Sequence, residues 1–138
     1  MSFDQTLTTS FKQEVLLGVH DLATDTLKLA LFTASADLNA NTTVYSTANE
    51  VVGTGYVAGG NVLTDVTVLT SGTTAYVDFA DVVWTPAAFT ARGALIYNAS
   101  KGNKAIAVLD FGSDKTATTS FTVQMPANTA DAALIRFA

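Results

Sequence analysis

The chain is 138 residues long, with 49% hydrophobic and 14% charged residues, a formal net charge of -5 and no cysteine. That length suits one domain able to bury an ordinary core, while the acidic balance disfavours direct nucleic-acid binding, which needs a basic face. The lack of thiols excludes disulfides, thiolate metal sites and cysteine nucleophiles, and charge this sparse against the roughly 25% of typical soluble domains predicts that a partner covers some surface.

The opening residues Met1-Ser2-Phe3-Asp4-Gln5 carry neither a basic region nor an apolar run, so no secretory signal is expected. No segment approaches the ~20 apolar residues that span a bilayer, so no membrane partner is expected either. Residues 10–22 carry the one helical pattern. Ser10 followed by Gln13 matches a capping box, and Phe11, Val15, Val19 and Leu22 form one stripe. Gly18 weakens the last turn. Such a helix either docks on a partner or lies across one end of a sheet.

Thr26 to Thr33 reads as a long strand, apolar on both faces. Residues 34–60 show no clear period and form a long irregular arm, with a helical turn expected near Ala36 to Asn39 and an extended stretch near Tyr45 to Val52. This arm is the leading candidate for the surface that meets another subunit. Strands then follow at Val62 to Leu69, Thr74 to Phe79, Phe89 to Tyr97, Ala105 to Phe111, Thr118 to Met125 and Ala132 to Phe137. Turns separate them at Thr70 to Gly72, Asn98 to Asn103, Gly112 to Asp114 and Pro126 to Asn128. Trp84 and Phe89 are expected to close over the sheet from either side of the bend at Pro86.

The fold class is therefore mainly β: an antiparallel β-sandwich or jelly-roll-like domain over residues 1–138, with one N-terminal helix and a β core over 62–138.

Candidate chemistry is thin. His20, the sole imidazole, stands where the helix should end, and capping the last carbonyls suits it better than general-base work. Asp37-Leu38-Asn39-Ala40-Asn41 opens like a calcium loop, but Thr42 and Ala48 occupy the positions that need Gly and Glu, which favours an Asx-rich turn over a weak cation site completed by other loops. Gly53-Thr54-Gly55 with Gly59-Gly60 precedes a strand rather than a helix, so no phosphate cradle is implied. Asp78 and Asp81 point to different faces of a regular strand and read as edge charges, not a catalytic pair. No catalytic residue, cofactor or metal is expected, and the reading is not an enzyme. Interaction residues are expected at Phe11, Val15, Tyr45, Val51, Val52 and Tyr56.

Several segments together resemble a family of small virion proteins of tailed bacteriophages. They are Phe11 to Asp21, Leu27 to Phe32, Thr42 to Tyr45, Asn49 to Tyr56, Gly59-Gly60, Val77 to Trp84 and Arg92 to Asn98. The resemblance implies a capsid decoration (cement) protein, or else a minor head or tail component. It also implies a homotrimer at capsid three-fold positions, partnered by the major capsid protein, made in the host cytoplasm and carried on the virion. A tail or fibre-tip module that adheres to a host glycan or receptor is the alternative, with exposed Tyr45, Tyr56 or Tyr97 as its contacts.

Overall fold

The computed structural model describes residues 3–126, 129 and 132–137. It is mainly β, with antiparallel sheets and one helix near the N-terminus. β1 (Thr6–Leu7), β2 (Leu27–Phe32), β3 (Asn61–Val62), β7 (Phe89–Asn98) and β8 (Lys104–Ala117) form a sheet in the order β1-β8-β7-β2-β3. Over one face of it lie a three-stranded sheet, β10 (Arg136–Phe137), β5 (Thr74–Asp78) and β4 (Thr67–Ser71), and a two-stranded one, β6 (Val82–Trp84) with β9 (Phe121–Val123).

Period-two alternation puts Leu27, Leu29 and Leu31 of β2 into the main core and Ala30 and Phe32 into a second core on the opposite face. The main core is closed by Phe11, Val77, Phe79, Trp84, Phe121 and Ile135, and the second by Phe3, Ala36 and Leu38 with Tyr45 against it. Both faces of the central sheet are thus covered by the chain's own segments. Trp84 and Phe89 do share a core, each packing its ring on Tyr56 and Phe121, and the Thr85-Pro86 peptide between them is cis.

The alternation expected through β7 does not run unbroken. Phe89 and Ala91 face the main core, but so do Ala94 and Ile96, while Leu95 and Tyr97 face the second. The phase slips at Arg92, where the β7–β8 register shifts between Ala91 and Gly93. Opposite that point β8 passes straight through Gly112 to Asp114, the expected turn, because an irregular pairing absorbs the extra residues without reversing the chain.

Other boundaries move as well. The strand expected over 62–69 is two, β3 and β4. The two that were expected at Thr118 and Ala132 shrink to β9 and β10, and β6 was not foreseen. Ala127 and Asn128, placed in a turn by sequence, lie outside the described residues.

The helix α1 is Thr9–Leu16, shorter than residues 10–22. Its N-cap is Thr8, not Ser10: the buried Thr8 hydroxyl accepts from Phe11 N at 3.2 Å and donates to the Ala105 carbonyl at 3.3 Å, so the cap also pins the helix to β8. Gly18 ends the helix. It takes φ +74°, its N–H reaches the Val15 carbonyl, and Val19 N reaches the Glu14 carbonyl at 2.9 Å. A left-handed residue in this pattern closes a helix, and glycine adopts it without strain.

Residues 34–60 contain no helix or strand, so the helical turn expected near Ala36 is absent. The arm is still tied at many points, among them Tyr45 N to Asn103 O at 2.9 Å, Ala105 N to Thr43 O at 2.9 Å and Val51 N to Leu31 O at 3.0 Å. Gly60 lets the arm rejoin the sheet: at φ +78° a Cβ there would stand 1.9 Å from the Leu29 carbonyl oxygen.

Candidate functional site

The six expected interaction residues do not share a surface. Phe11, Val51 and Tyr56 are buried in the main core, a correction to their placement at an interface. Their large apolar side chains are used to close the chain's own sandwich. Tyr45 and Val15 are half-buried, and only Val52, 94% exposed, stands clear of the fold. Leu16, at 87% on the last turn of α1, is also strongly exposed, as are Leu17 and Val57.

Instead, two buried polar clusters emerge, and the first centres on Glu50, only 7% exposed. One carboxylate oxygen accepts from the Tyr45 hydroxyl at 2.6 Å; the other accepts from the Tyr56 hydroxyl and from Gly59 N at 2.8 Å. Tyr56 in turn accepts from Leu31 N at 2.9 Å, Tyr97 donates to the Gly59 carbonyl at 2.6 Å, and the Tyr45 and Tyr97 rings stack with centroids 4.4 Å apart. Burial first, then the Glu50 charge, pushes the Tyr97 phenol up to about 12. The same causes, burial foremost and then the hydrogen bond to Glu50, push Tyr45 and Tyr56 higher still. These phenols therefore remain protonated donors at neutral pH, and a carboxylate so enclosed holds the arm to the sheet.

The second cluster sits beyond the helix. His20 is fully buried against the Phe11 ring; its Nε2 lies 2.9 Å from a Glu14 carboxylate oxygen and its Nδ1 3.0 Å from Asn98 Nδ2. Because the Asn98 amide nitrogen can only donate, the imidazole is the neutral Nε2–H tautomer, giving its proton to Glu14. The second amide hydrogen of Asn98 goes to Asp25 at 2.8 Å, and its carbonyl accepts from Ser100 N at 3.0 Å. Asp25 also receives Lys101 Nζ at 2.8 Å and Asp21 N at 3.0 Å. Burial acts to raise the Asp25 carboxyl, but Lys101, Asn98 and the Asp21 amide outweigh it and hold the group at about 2. His20 thus bonds side chains, not the helix carbonyls expected of it, because Gly18 and Val19 already satisfy them.

Neither cluster presents a nucleophile beside a base with a free lone pair aimed into a cleft. A surface cleft of about 460 Å³ lies between β8 and β9 over Phe111 and Phe121, rimmed by Gln5, Asp110, Lys115 and Gln124. Its acid is engaged, with Asp110 accepting from Gly112 N at 2.8 Å and facing Arg92 Nε at 3.4 Å. A second groove of about 400 Å³ runs from Val15 and Leu22 to Val68 and Phe137. Among the described residues no group of three or more His, Asp or Glu side chains is placed to hold a metal. The Asp37 to Asn41 segment is the Asx turn expected, with Asn41 N on the Asn39 side-chain oxygen at 2.8 Å.

Sequence reasoning missed Glu50, Asn98 and Asp25. Glu50 left one trace, an acid in an otherwise apolar and aromatic stretch between Tyr45 and Tyr56. Asn98 left none, since an asparagine in a turn has reason enough to be there. Comparison with protein-family models, with curated proteins and with solved structures finds no match for this chain.

Proposed function

We propose that this chain is a structural protein of a bacteriophage virion, a decoration protein that self-associates, as a trimer on the resemblance, and bridges major capsid subunits on the outside of the head. The observation that carries this reading is where the polar chemistry goes. The Glu50 carboxylate and both nitrogens of His20 are fully engaged in tying arm and helix to the central sheet. Outward, among exposed polar and charged residues, stand large apolar side chains that the fold does not use, Val52 on the arm and Leu16 and Leu17 at the end of the helix. A rigid body with a few exposed apolar anchors suits docking on a shell, where such anchors contribute most of the affinity. Binding only the assembled shell then stabilises it by mass action.

Adhesion to a glycan is the weaker reading, since Tyr56 and Tyr97 are buried and Tyr45 is stacked, so the rings it relied on are engaged. Heating heads with and without the protein tests the proposal: a higher disruption temperature with it is expected, and equal temperatures defeat it. Copy number separates the two readings, hundreds per particle for decoration and a few for a fibre tip.

A further inference from the structure

β4 is a regular strand whose five residues, Thr67-Val68-Leu69-Thr70-Ser71, are all exposed. It pairs with β5 on one side through Thr67↔Asp78 to Ser71↔Thr74 without a register shift, and its other edge has no strand beside it among the described residues. Opposite residues in an antiparallel pair exchange both backbone bonds or neither. Val77, opposite Val68, gives its N–H to the Ile135 carbonyl at 3.0 Å, away from β4. The N–H and C=O of Val68 and, two residues on, of Thr70 therefore point outward from the free edge.

Natural edge strands are blunted by lysine, proline, a bulge or an inward charge. β4 has none of these. In a chain of net charge -5, this edge carries no ionisable group, so two copies can meet there without like-charge repulsion. The segment also reads symmetrically about Leu69: reversed against itself, Thr67 meets Ser71, hydroxyl to hydroxyl, and Val68 meets Thr70.

We propose that β4 pairs antiparallel with β4 of a second copy about a two-fold axis through Leu69, joining two three-stranded sheets into one of six. The outward groups of Val68 and Thr70 then exchange four backbone hydrogen bonds across the axis. The two Leu69 residues form the closely spaced pair, with Cα atoms ~4.5 Å apart. On the inner face, Val68 lines the groove that runs to Val15 and Phe137, so pairing joins the grooves of both copies. The contact is isologous and closed, and it leaves the anchors Val52 and Leu16 free. It stands independently of the virion reading.

The test uses the full chain. Light scattering across a concentration series is expected to give twice the 14.4 kDa chain mass, or, where other contacts also persist, an assembly whose mass Leu69→Lys halves. Thr70→Pro, which deletes an outward N–H not used by β5, has the same effect with an unchanged circular dichroism spectrum. Because the chain has no cysteine of its own, Leu69→Cys places a single thiol on the axis, within the ~4.4–6.8 Å Cα spacing a disulfide spans. Mild oxidation is expected to cross-link it at least tenfold faster than Thr64→Cys, which lies outside the strand. A monomer at every concentration, a mass untouched by Leu69→Lys and Thr70→Pro, or equal cross-linking at the two positions overturns the proposal.

Discussion

Residues 34–60 contain no helix or strand, yet Glu50, Val51 and Tyr56 within them are buried and bonded to the central sheet. β4 is a regular five-residue strand, yet every one of its residues is exposed. The contrast separates two properties usually taken together. Backbone regularity follows from local pairing, which a two-residue turn at Gly72-Thr73 is enough to supply to the hairpin. Burial follows from what the rest of the chain brings alongside, and an irregular segment can be held firmly when its backbone groups find partners one at a time.

Removing the centre of the arm should give the largest effect. Glu50→Ala leaves the Tyr45 and Tyr56 hydroxyls and the Gly59 amide without their acceptor, and a loss of about 3–5 kcal/mol is expected in denaturant titration. Hydrogen exchange should show the Tyr45 and Val51 amides losing protection ahead of those in β7. A loss below about 1 kcal/mol would mean that the backbone bonds alone hold the arm.

Asn98→Ala comes next, since it strips three partners from a fully buried side chain; about 2–3 kcal/mol is expected. Here the damage should appear first at residues 18–26 and leave the arm's amides protected.

pH should then divide the two clusters. The Asp25 carboxyl falls from its ordinary 3.8 to about 2 in the folded chain, so its contribution is complete above 3.8 and is lost as pH drops through 2. Lys101→Met should flatten this acid limb. The Glu50 cluster behaves in the opposite sense: Tyr97 of β7 rises from 10 to about 12, so the unfolded chain loses its proton first and stability declines as pH climbs through that interval. Glu50→Gln should soften the alkaline limb without altering the acid one. Melting curves between pH 2 and 12 read both.

The smallest effects belong to exposed positions on β4 and β6. Val83→Thr, on the exposed side of β6, and Leu69→Thr on β4 should each change monomer stability by no more than about 0.5 kcal/mol. A larger loss at Leu69 under conditions where the chain is monomeric would show that β4 contributes to the fold itself.

Much of the framework was legible because period-two patterning is a local signal: β2, β5, β7 and the N-terminal part of β8 fall near their expected places. The stripe led correctly to a helix near the N-terminus, but its Phe11, expected at an interface, closes the core, and the end of the helix was misjudged because Gly18 was weighed as a weak helix former and not as the left-handed residue that stops it. The expected turn at Gly112 failed for a related reason. Glycine permits either a reversal or a bulge, and only the register against β7 chooses between them.

By itself, then, the order of residues determined the class of fold, the number of apolar faces and the lack of thiol chemistry, since each depends on side-chain type and spacing along one strand or helix. Which faces the chain covers for itself was decided only in three dimensions. So were the convergence of Tyr45, Tyr56 and Gly59 on Glu50, and the turning of the Val68 and Thr70 backbone toward solvent. These rest on contacts between residues distant in the chain, whose geometry is set when sheets pack and which no local pattern encodes.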